Sequence, residues 1–559
     1  MCGIFFALSR HGHIVPDERT AALLRNRGPD HTGLHQPVIA REDDTALHAT
    51  FLSTVLSLRG TEVTSQPLVD SSAGSVLCWN GEAWAIDGDA VAGNDSKLVF
   101  DGLLKACADT SFDSKSAVIM LLSQIRGPYA IVFFDATNNY IYYGRDCLGR
   151  RSLLQKSTTD GTLVLSSVCD NATGEAWAEV EADGIYFIDL NKFDDPTNVL
   201  RVPHARLGET SGPEVSFILP FPPMNRENPT GLHPDHDGQI DLKTALRQSL
   251  TLRTQHVREA FSSSSSIAPK VAKVAVLFSG GLDCTILARL CHDLLPLNED
   301  IDLLNVAFEN PRVHGKLESG ASPYEACPDR ITGRASHAEL ERVCPNRRWR
   351  FVEINVPYTE TIAHRATVMA LMHPHNTEMD LSISYALYFA SRGVGLTSAS
   401  NGTSEAYTTA ACVLLSGLGA DELFGGYQRH TTAFARQGYS GLISELELDF
   451  ERLGKRNLGR DDRVISNSSK EVRFPFLDED FIALALQLSV AQKCDFGHPE
   501  HRPAQHPDIV IEPAKRALRN LALELGMSDV AVEKKRAIQF GARTAKMETG
   551  KTKGTHVLS

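Results

Sequence analysis

Apolar residues follow two rhythms along this chain, and the change between them divides it. Up to about residue 190, short β-branched and aromatic runs alternate with turn-forming clusters: GIFFALS, VLSLRG, VLCWNGEAW, AIVFFDA, YIYYGRD, LVLSSV and GIYFIDL. Such runs predict strands, enough for two packed sheets. Helical spacing over 97–105 and 117–122 adds helices to cover them. The passage LPFPPMNRENPTGLHPDHDG has no apolar period and reads as a linker, which puts a boundary at 220–238.

Beyond it, Leu242, Leu246, Leu250 and Val257 recur at helical spacing up to a run of serines. VAKVAVLF is a continuous apolar run, as in strands buried on both faces of a parallel sheet. SGGLD and the helical stretch CTILARLCHDLL follow at once, and DLLNVAF, WRFVEINV and VLLSG repeat the strand-then-helix pattern of βα units. From about residue 444 the pattern is mostly helical. The expected organisation is a domain over 2–220, a linker over 221–238, a second domain over 239–545 and a small, polar, basic tail over 546–559 that frays. A chain of 559 residues is too long for one core, so two large domains are also what length predicts.

A net charge of −13, spread along the chain, argues against nucleic acid or an anionic membrane as the main partner. Eleven cysteines without a CxxC pair suggest reduced thiols, with neither a disulfide framework nor a zinc site. No apolar run is long enough to span a bilayer, IFFAL is too short for a signal-peptide core, and no Arg-rich leader is present, so a cytoplasmic protein is expected.

The candidate chemistry begins at MCGIFF. Removal of the initiator leaves Cys2 with a free α-amine beside its own thiol, and an amine with a pKa near about 8 can take the thiol proton directly or through water. A cysteine in second place is by itself an ordinary coincidence, but NRGPDHTG (26–33), WNGE (79–82) and GRDCLGRRSL (144–153) follow. Together these motifs resemble the class II glutamine amidotransferase domain, an α+β Ntn-hydrolase sandwich with helices on both sides. The resemblance implies Cys2 as nucleophile and Asn80 with Gly81 as the oxyanion hole, a role suited to two fixed donors. It maps glutamine binding to Asp95, with Glu82 nearby. The family's arginine position falls on Val55, and Arg59 in the following LRG is the substitute.

The second constellation is strand, SGGLDC (279–284), then helix, a layout that aims backbone N–H groups at an anion. It lacks the lysine of GxxxxGK[ST], which disfavours a kinase or GTPase P-loop. SGGLD resembles the loop of ATP pyrophosphatases, and LLSGLGADELFGGY (414–427) with EVRFPFLD (471–478) resembles the synthetase domain of asparagine synthetases. The expected second domain is thus an α/β parallel-sheet ATP pyrophosphatase. FSGGLDC, PDRITGR, GADELFGGYQRH, RNLGRDDRV and KKRAIQFGAR bring the chain closest to the asparagine synthetase domain-containing branch. This resemblance implies ATP contacts at Leu277, Ser279, Gly280, Gly281, Asp283, Cys284, Ser416 and Gly417, and Mg2+ held by Asp283 and Asp421. Magnesium suits such carboxylates together with phosphates. Glutamine and aspartate are the implied substrates, and a homodimer is allowed.

Two positions depart from that family. Leu418 stands where a glutamate is usual and cannot accept a proton, a loss worth typically about 10² to 10⁴ in rate. Ala537 stands where a lysine is usual, with Lys534, Lys535 and Arg536 just upstream. Leu418 as a buried apolar plug is one reading. Another recruits a base from HPHNTEMD (373–380), which otherwise reads as an exposed polar loop. Asparagine synthesis from glutamine, aspartate and ATP is the leading expectation. A glutaminase or amidotransferase with another acceptor, and a nucleotide-binding pseudoenzyme, are the rivals; pyrophosphate release dependent on aspartate separates them.

Overall fold

The computed structural model describes residues 2–109, 113–170, 176–206, 216–228, 241–255, 257–258, 272–315, 317–318, 320–398, 402–503, 505–547 and 553–558. Part of the expected linker and the serine run lie outside them. The chain forms two compact units, and the division is not linear: Met1–Pro220 is joined by Thr367–His375 and Leu453–Glu471, and the remainder makes the second unit. Two segments that the sequence reading counts with the second half thus belong to the first unit. Among the described residues no helix is long and apolar enough to cross a membrane, and all eleven cysteines are free.

The first unit holds a small three-stranded sheet (Asp89–Ala90, Ala85–Ile86, Ile125–Arg126) and two seven-stranded ones. One runs Ala178–Glu179, Leu154–Ser157, Leu163–Ser166, Gly3–Ser9, Ala46–Val55, His31–His35, with Val38–Ala40 also on Ala46–Val55. The other runs Phe217–Ile218, Leu200–Ala205, Gly184–Asp189, Tyr140–Arg145, Tyr129–Asp135, Val76–Gly81, Leu68–Val69. Because successive strand residues face opposite ways, Ile4, Phe6 and Leu8 meet Val76, Cys78, Val132 and Phe134 in one core. Leu77, Trp79, Ile131 and Phe133 instead pack with Val99, Leu103, Val118 and Leu122 of helices Asp95–Ala108 and Ser114–Gln124. The run VLSLRG is not a strand. The strand is Ala46–Val55, ending where that run begins. Its alternation is hidden because Thr50, Ser53 and Thr54 are buried polar residues.

In the second unit the strand order is Ser404–Thr408, Val394–Ser398, Trp349–Val356, Ile301–Phe308, Val274–Leu277, Val413–Leu415, continuing into Glu471–Arg473, whose last two residues belong to this unit. The expected parallel pairing holds for the four strands from Trp349–Val356 to Val413–Leu415. Val394–Ser398 and Ser404–Thr408 add an antiparallel edge hairpin, which makes the sheet mixed. Val274–Leu277 has Ile301–Phe308 on one side and Val413–Leu415 on the other, so the order reverses there; in open α/β sheets ligands bind at the strand ends beside such a switch. The helix expected through Val257 stops at Thr254. The tail is docked rather than frayed over its described part: the carbonyls of Gly554 and His556 accept from Met379 N (2.9 Å) and Glu378 N (2.9 Å), satisfying amides at the start of helix Glu378–Arg392.

Candidate active sites

In the first unit, Cys2 lies at the end of the central strand of its sheet, and the glycine after it lets the chain come close. A Cβ on Gly3 would stand 2.5 Å from Thr54 Oγ1, which instead accepts from Gly3 N at 3.1 Å. NRGPDHTG folds around this end. Gly28 abuts the Thr54–Val55 backbone, where a Cβ would be 2.4 Å from Val55 N, and Arg27 Nε donates to Cys2 O at 3.1 Å. Arg27 is itself buried and held by Asp462 (2.8 Å) and Ser466 Oγ (2.6 Å). In GRDCLGRRSL, the Asp146 carboxylate accepts from Tyr129 N, Leu148 N, Arg150 N and Arg150 Nε at 2.9–3.1 Å, which fixes that turn.

The backbone nitrogen of Cys2 donates to Asn80 Oδ1 at 2.9 Å. That bond orients the Asn80 amide, and its Nδ2 is buried with no hydrogen-bond partner among the described residues. A buried donor without an acceptor is unusual and matches a group waiting for an oxyanion. Burial pushes the Cys2 thiol up from its ordinary value. Gln66 Nε2 is 4.0 Å from Cys2 Sγ, and Gln66 Oε1 accepts from Trp79 N at 2.8 Å.

The residues mapped to glutamine binding come together. Asp95 Oδ2 accepts from Trp79 Nε1 (3.0 Å) and Ala83 N (2.9 Å), and burial raises its carboxyl against the pull of Arg59. Arg59 lies 3.5 Å from Glu82 Oε2, donates to the carbonyls of Ala83 (2.8 Å) and Val91 (2.6 Å), and lies over the Trp84 ring. Val55, at the family's arginine position, is buried and apolar.

In the second unit, SGGLD and SGLG follow the adjacent strands Val274–Leu277 and Val413–Leu415 on either side of the switch. They touch, since a Cβ on Gly417 would stand 2.9 Å from Asp283 Cβ. Gly281 caps helix Leu282–Leu294 without a side-chain bond, leaving the N-terminal amides for a ligand. Ser279 Oγ accepts from Gly281 N at 3.4 Å and lies 3.7 Å from Cys284 Sγ, whose thiol is raised by burial. Leu277 is the half-buried last residue of its strand, and Ser416 Oγ accepts from Leu418 N at 3.3 Å. A cleft is lined by Ser279, Gly281, Asp283, Asp329, Lys515 and the basic run 534–536, among others.

Asp283 and Asp421 meet across a lysine. Lys515 Nζ lies 2.5 Å from Asp283 Oδ2 and 2.6 Å from Asp421 Oδ1, and Lys535 Nζ pairs with Asp421 Oδ2. The two ammonium groups hold the Asp421 carboxyl below its usual range despite burial, and the carboxylates hold Lys515 above its own. Magnesium fits this donor set: both groups are hard oxygens, and Asp283 Oδ1 is buried without a hydrogen-bond partner among the described residues. A metal would have to draw Lys515 off at least one carboxylate. Gly426 makes the clamp possible, because a Cβ there would stand 1.8 Å from Asp421 Oδ1 and 2.4 Å from Lys515 Cε. Gly426→Ala is therefore expected to destabilise the protein by about 1–3 kcal/mol, and an unchanged urea midpoint would contradict the clamp.

Several expectations change. Leu418 is half-buried rather than a sealed plug. HPHNTEMD is not an exposed loop: His373 and His375 are part-buried in the first unit, His375 Nε2 lies 3.8 Å from Glu179 Oε2, and Thr377 caps helix Glu378–Arg392. Neither histidine lines the cleft. Glu422, beside Asp421, accepts from Tyr427 OH at 2.7 Å. Of the basic residues before Ala537, Lys535 reaches Asp421, and Arg536 donates to Thr332 Oγ1 at 3.3 Å. Sequence reasoning missed Lys515, Asp329, Gln66 and Asp462. PDRITGR and RNLGRDDRV stand out in the sequence as motifs, but nothing in them assigns a role to Asp329 or Asp462.

A mostly antiparallel first unit and a switch-point α/β second unit, each with a candidate site, accord with an asparagine synthetase-like protein. The asparagine synthase family model matches residues 435–552. Asparagine synthetase domain-containing protein 1 of Bos taurus is 34% identical, over 99% of this chain and 97% of its own. A Saccharomyces cerevisiae asparagine synthetase domain-containing protein is 33% identical, over 95% of this chain and 89% of its own. The chain belongs to the family of asparagine synthetase domain-containing proteins. A solved structure of an allosteric regulatory enzyme of purine biosynthesis overlaps 49% of this chain and 60% of its own at 14% identity and a TM-score of 0.26, too slight a likeness to carry weight.

Proposed function

We propose that the chain is a glutamine-hydrolysing, ATP-dependent amidotransferase that converts aspartate, glutamine, ATP and water to asparagine, glutamate, AMP and pyrophosphate. The observation that carries this reading is the approach of SGGLD to SGLG, Gly417 against Asp283, at the sheet's switch point. In the first unit the Cys2 thiolate attacks the side-chain carbonyl carbon of glutamine, ammonia leaves as the thioester forms, and water then attacks the thioester, breaking the C–S bond to release glutamate and the thiol. Asn80 Nδ2, turned by the Cys2–Asn80 bond, and the Gly81 amide hold the oxyanion, while Asp95 and Arg59 with Glu82 hold the α-groups. Asn80→Ala is expected to lower glutaminase kcat by about 10² to 10³, and a wild-type kcat would remove Asn80 from the oxyanion hole.

In the second unit the free amides at the start of helix Leu282–Leu294 and the side chains of Lys515, Lys534, Lys535 and Arg536 take the triphosphate. A β-carboxylate of aspartate then attacks the α-phosphorus, forming the acyl adenylate and releasing pyrophosphate. Magnesium, held by Asp283 and Asp421, would add charge neutralisation on the leaving phosphates. The test is pyrophosphate release with MgATP and aspartate, with ammonium in place of glutamine; no aspartate dependence would sink the reading. The apolar Leu418 favours a second reading, a nucleotide-binding protein that forms no amide. ATP binding without pyrophosphate release would select it.

A further inference from the structure

Helix Pro328–Val343 carries PDRITGR and is pinned against the phosphate turn at three points. Gly280, at φ +80°, lies so close that a Cβ would stand 2.5 Å from Gly333 Cα, and Ser336 Oγ donates to Gly280 O at 2.7 Å. Asn305 Nδ2 donates both to Phe278 O (2.9 Å), just before the turn, and to Asp329 O (2.8 Å). Asp329 is thereby fixed in the wall of the cleft that also contains Ser279, Asp283 and Lys515.

The residue is only 6% exposed, and its carboxylate makes no hydrogen bond or ion pair among the described residues. Gly541 faces it without a side chain, since a Cβ there would stand 1.8 Å from Asp329 Oδ1. Buried carboxylates ordinarily accept several hydrogen bonds; this one keeps its acceptor capacity for something that enters the cleft. The charged groups acting on it are Arg536, Lys535 and Arg543, which favour the ionised form, and Glu533, which opposes it. Burial outweighs them and holds the carboxyl up to about 7. A group so poised exchanges a proton near neutral pH.

We propose that Asp329 is the proton acceptor for the amine that attacks the acyl adenylate, the task for which Leu418 has no atom. This rests on the amide-forming reading above. Ammonia's nitrogen bonds to the acyl carbon, the C–O bond to AMP breaks, and AMP leaves with that electron pair. One N–H proton passes to an Asp329 oxygen and then to water before the next turnover.

The test separates the two half-reactions in a single turnover, counting pyrophosphate and asparagine from MgATP, aspartate and ammonium between pH 5.5 and 8.5. In Asp329→Asn, pyrophosphate release is expected to stay within about threefold of wild type, while asparagine formed per pyrophosphate falls by about 10² or more. In wild type, the amide step, corrected for the fraction of free ammonia, is lost as pH falls through about 7, because protonated Asp329 cannot accept. Asp329→Glu is expected to restore part of the ratio with a shifted profile. A wild-type ratio in Asp329→Asn, or a flat corrected profile in wild type, overturns the assignment of Asp329 alone. Wild type that releases no aspartate-dependent pyrophosphate overturns the amide-forming reading and this inference with it.

Discussion

Cys2→Ala is expected to abolish ammonia release from glutamine, by about 10³-fold or more, and to leave ammonium-supported turnover intact. Asn80, Gln66 and Arg27 all converge on the residue that carries the thiol. The nearby Thr54 hydroxyl is committed to Leu24 O and Gly3 N, so residual activity is expected from water acting on a polarised amide. The packing changes little, because alanine keeps the backbone nitrogen that orients Asn80 and only the sulfur is lost. The informative measurement is glutaminase rate beside ammonium-driven asparagine formation in one preparation. If glutamine hydrolysis survives, the nucleophile lies elsewhere. If both rates fall, the substitution has damaged the fold instead.

Asp462→Ala is expected to have the largest effect on stability. Asp462 is fully buried; its Oδ2 accepts from Arg27 Nη2 at 2.8 Å and Ser152 N at 3.1 Å, and its Oδ1 lies 3.8 Å from Arg151 Nη1. Removing it leaves a buried guanidinium short of its counter-charge, a loss worth about 3–5 kcal/mol. Whole domains are stable by only about 5–15 kcal/mol, so the variant stands near the edge of folding. Arg27 also donates to Cys2 O, so the nucleophile should lose its position before the unit unfolds. Urea unfolding together with glutaminase rate reads both effects. A loss of unfolding free energy below about 0.5 kcal/mol, the range of ordinary surface substitutions, would show that Arg27 and Arg151 find other partners.

Much of the fold was legible because burial leaves an imprint on residue type. Gly3–Ser9 and Trp349–Val356 coincide with the runs read as strands, and SGGLD sits where a strand meets a helix. Ala46–Val55 escaped because Thr50, Ser53 and Thr54 are buried although polar, the two threonines held by side-chain hydrogen bonds. Val394–Ser398 and Ser404–Thr408 escaped because an edge hairpin is largely exposed and carries little pattern. The site divides in the same way. Asn80, Gly81, Asp283 and Asp421 stand in motifs whose glycines mark close approach. Lys515 sits outside any motif and has a left-handed backbone at φ +56°, which no local sequence rule assigns to lysine. The partner of Arg27 lies 435 residues away, beyond the reach of any window read along the chain.

That separation sets a clock on the nascent chain. At roughly 5–20 residues per second on the ribosome, roughly 20 to 90 s pass between the synthesis of Arg27 and that of Asp462. By the end of that interval the first 220 residues are out of the exit tunnel, with Arg27 and Arg151 still without their carboxylate. The amino-terminal unit, though made first, is therefore the one that cannot finish until most of the protein exists.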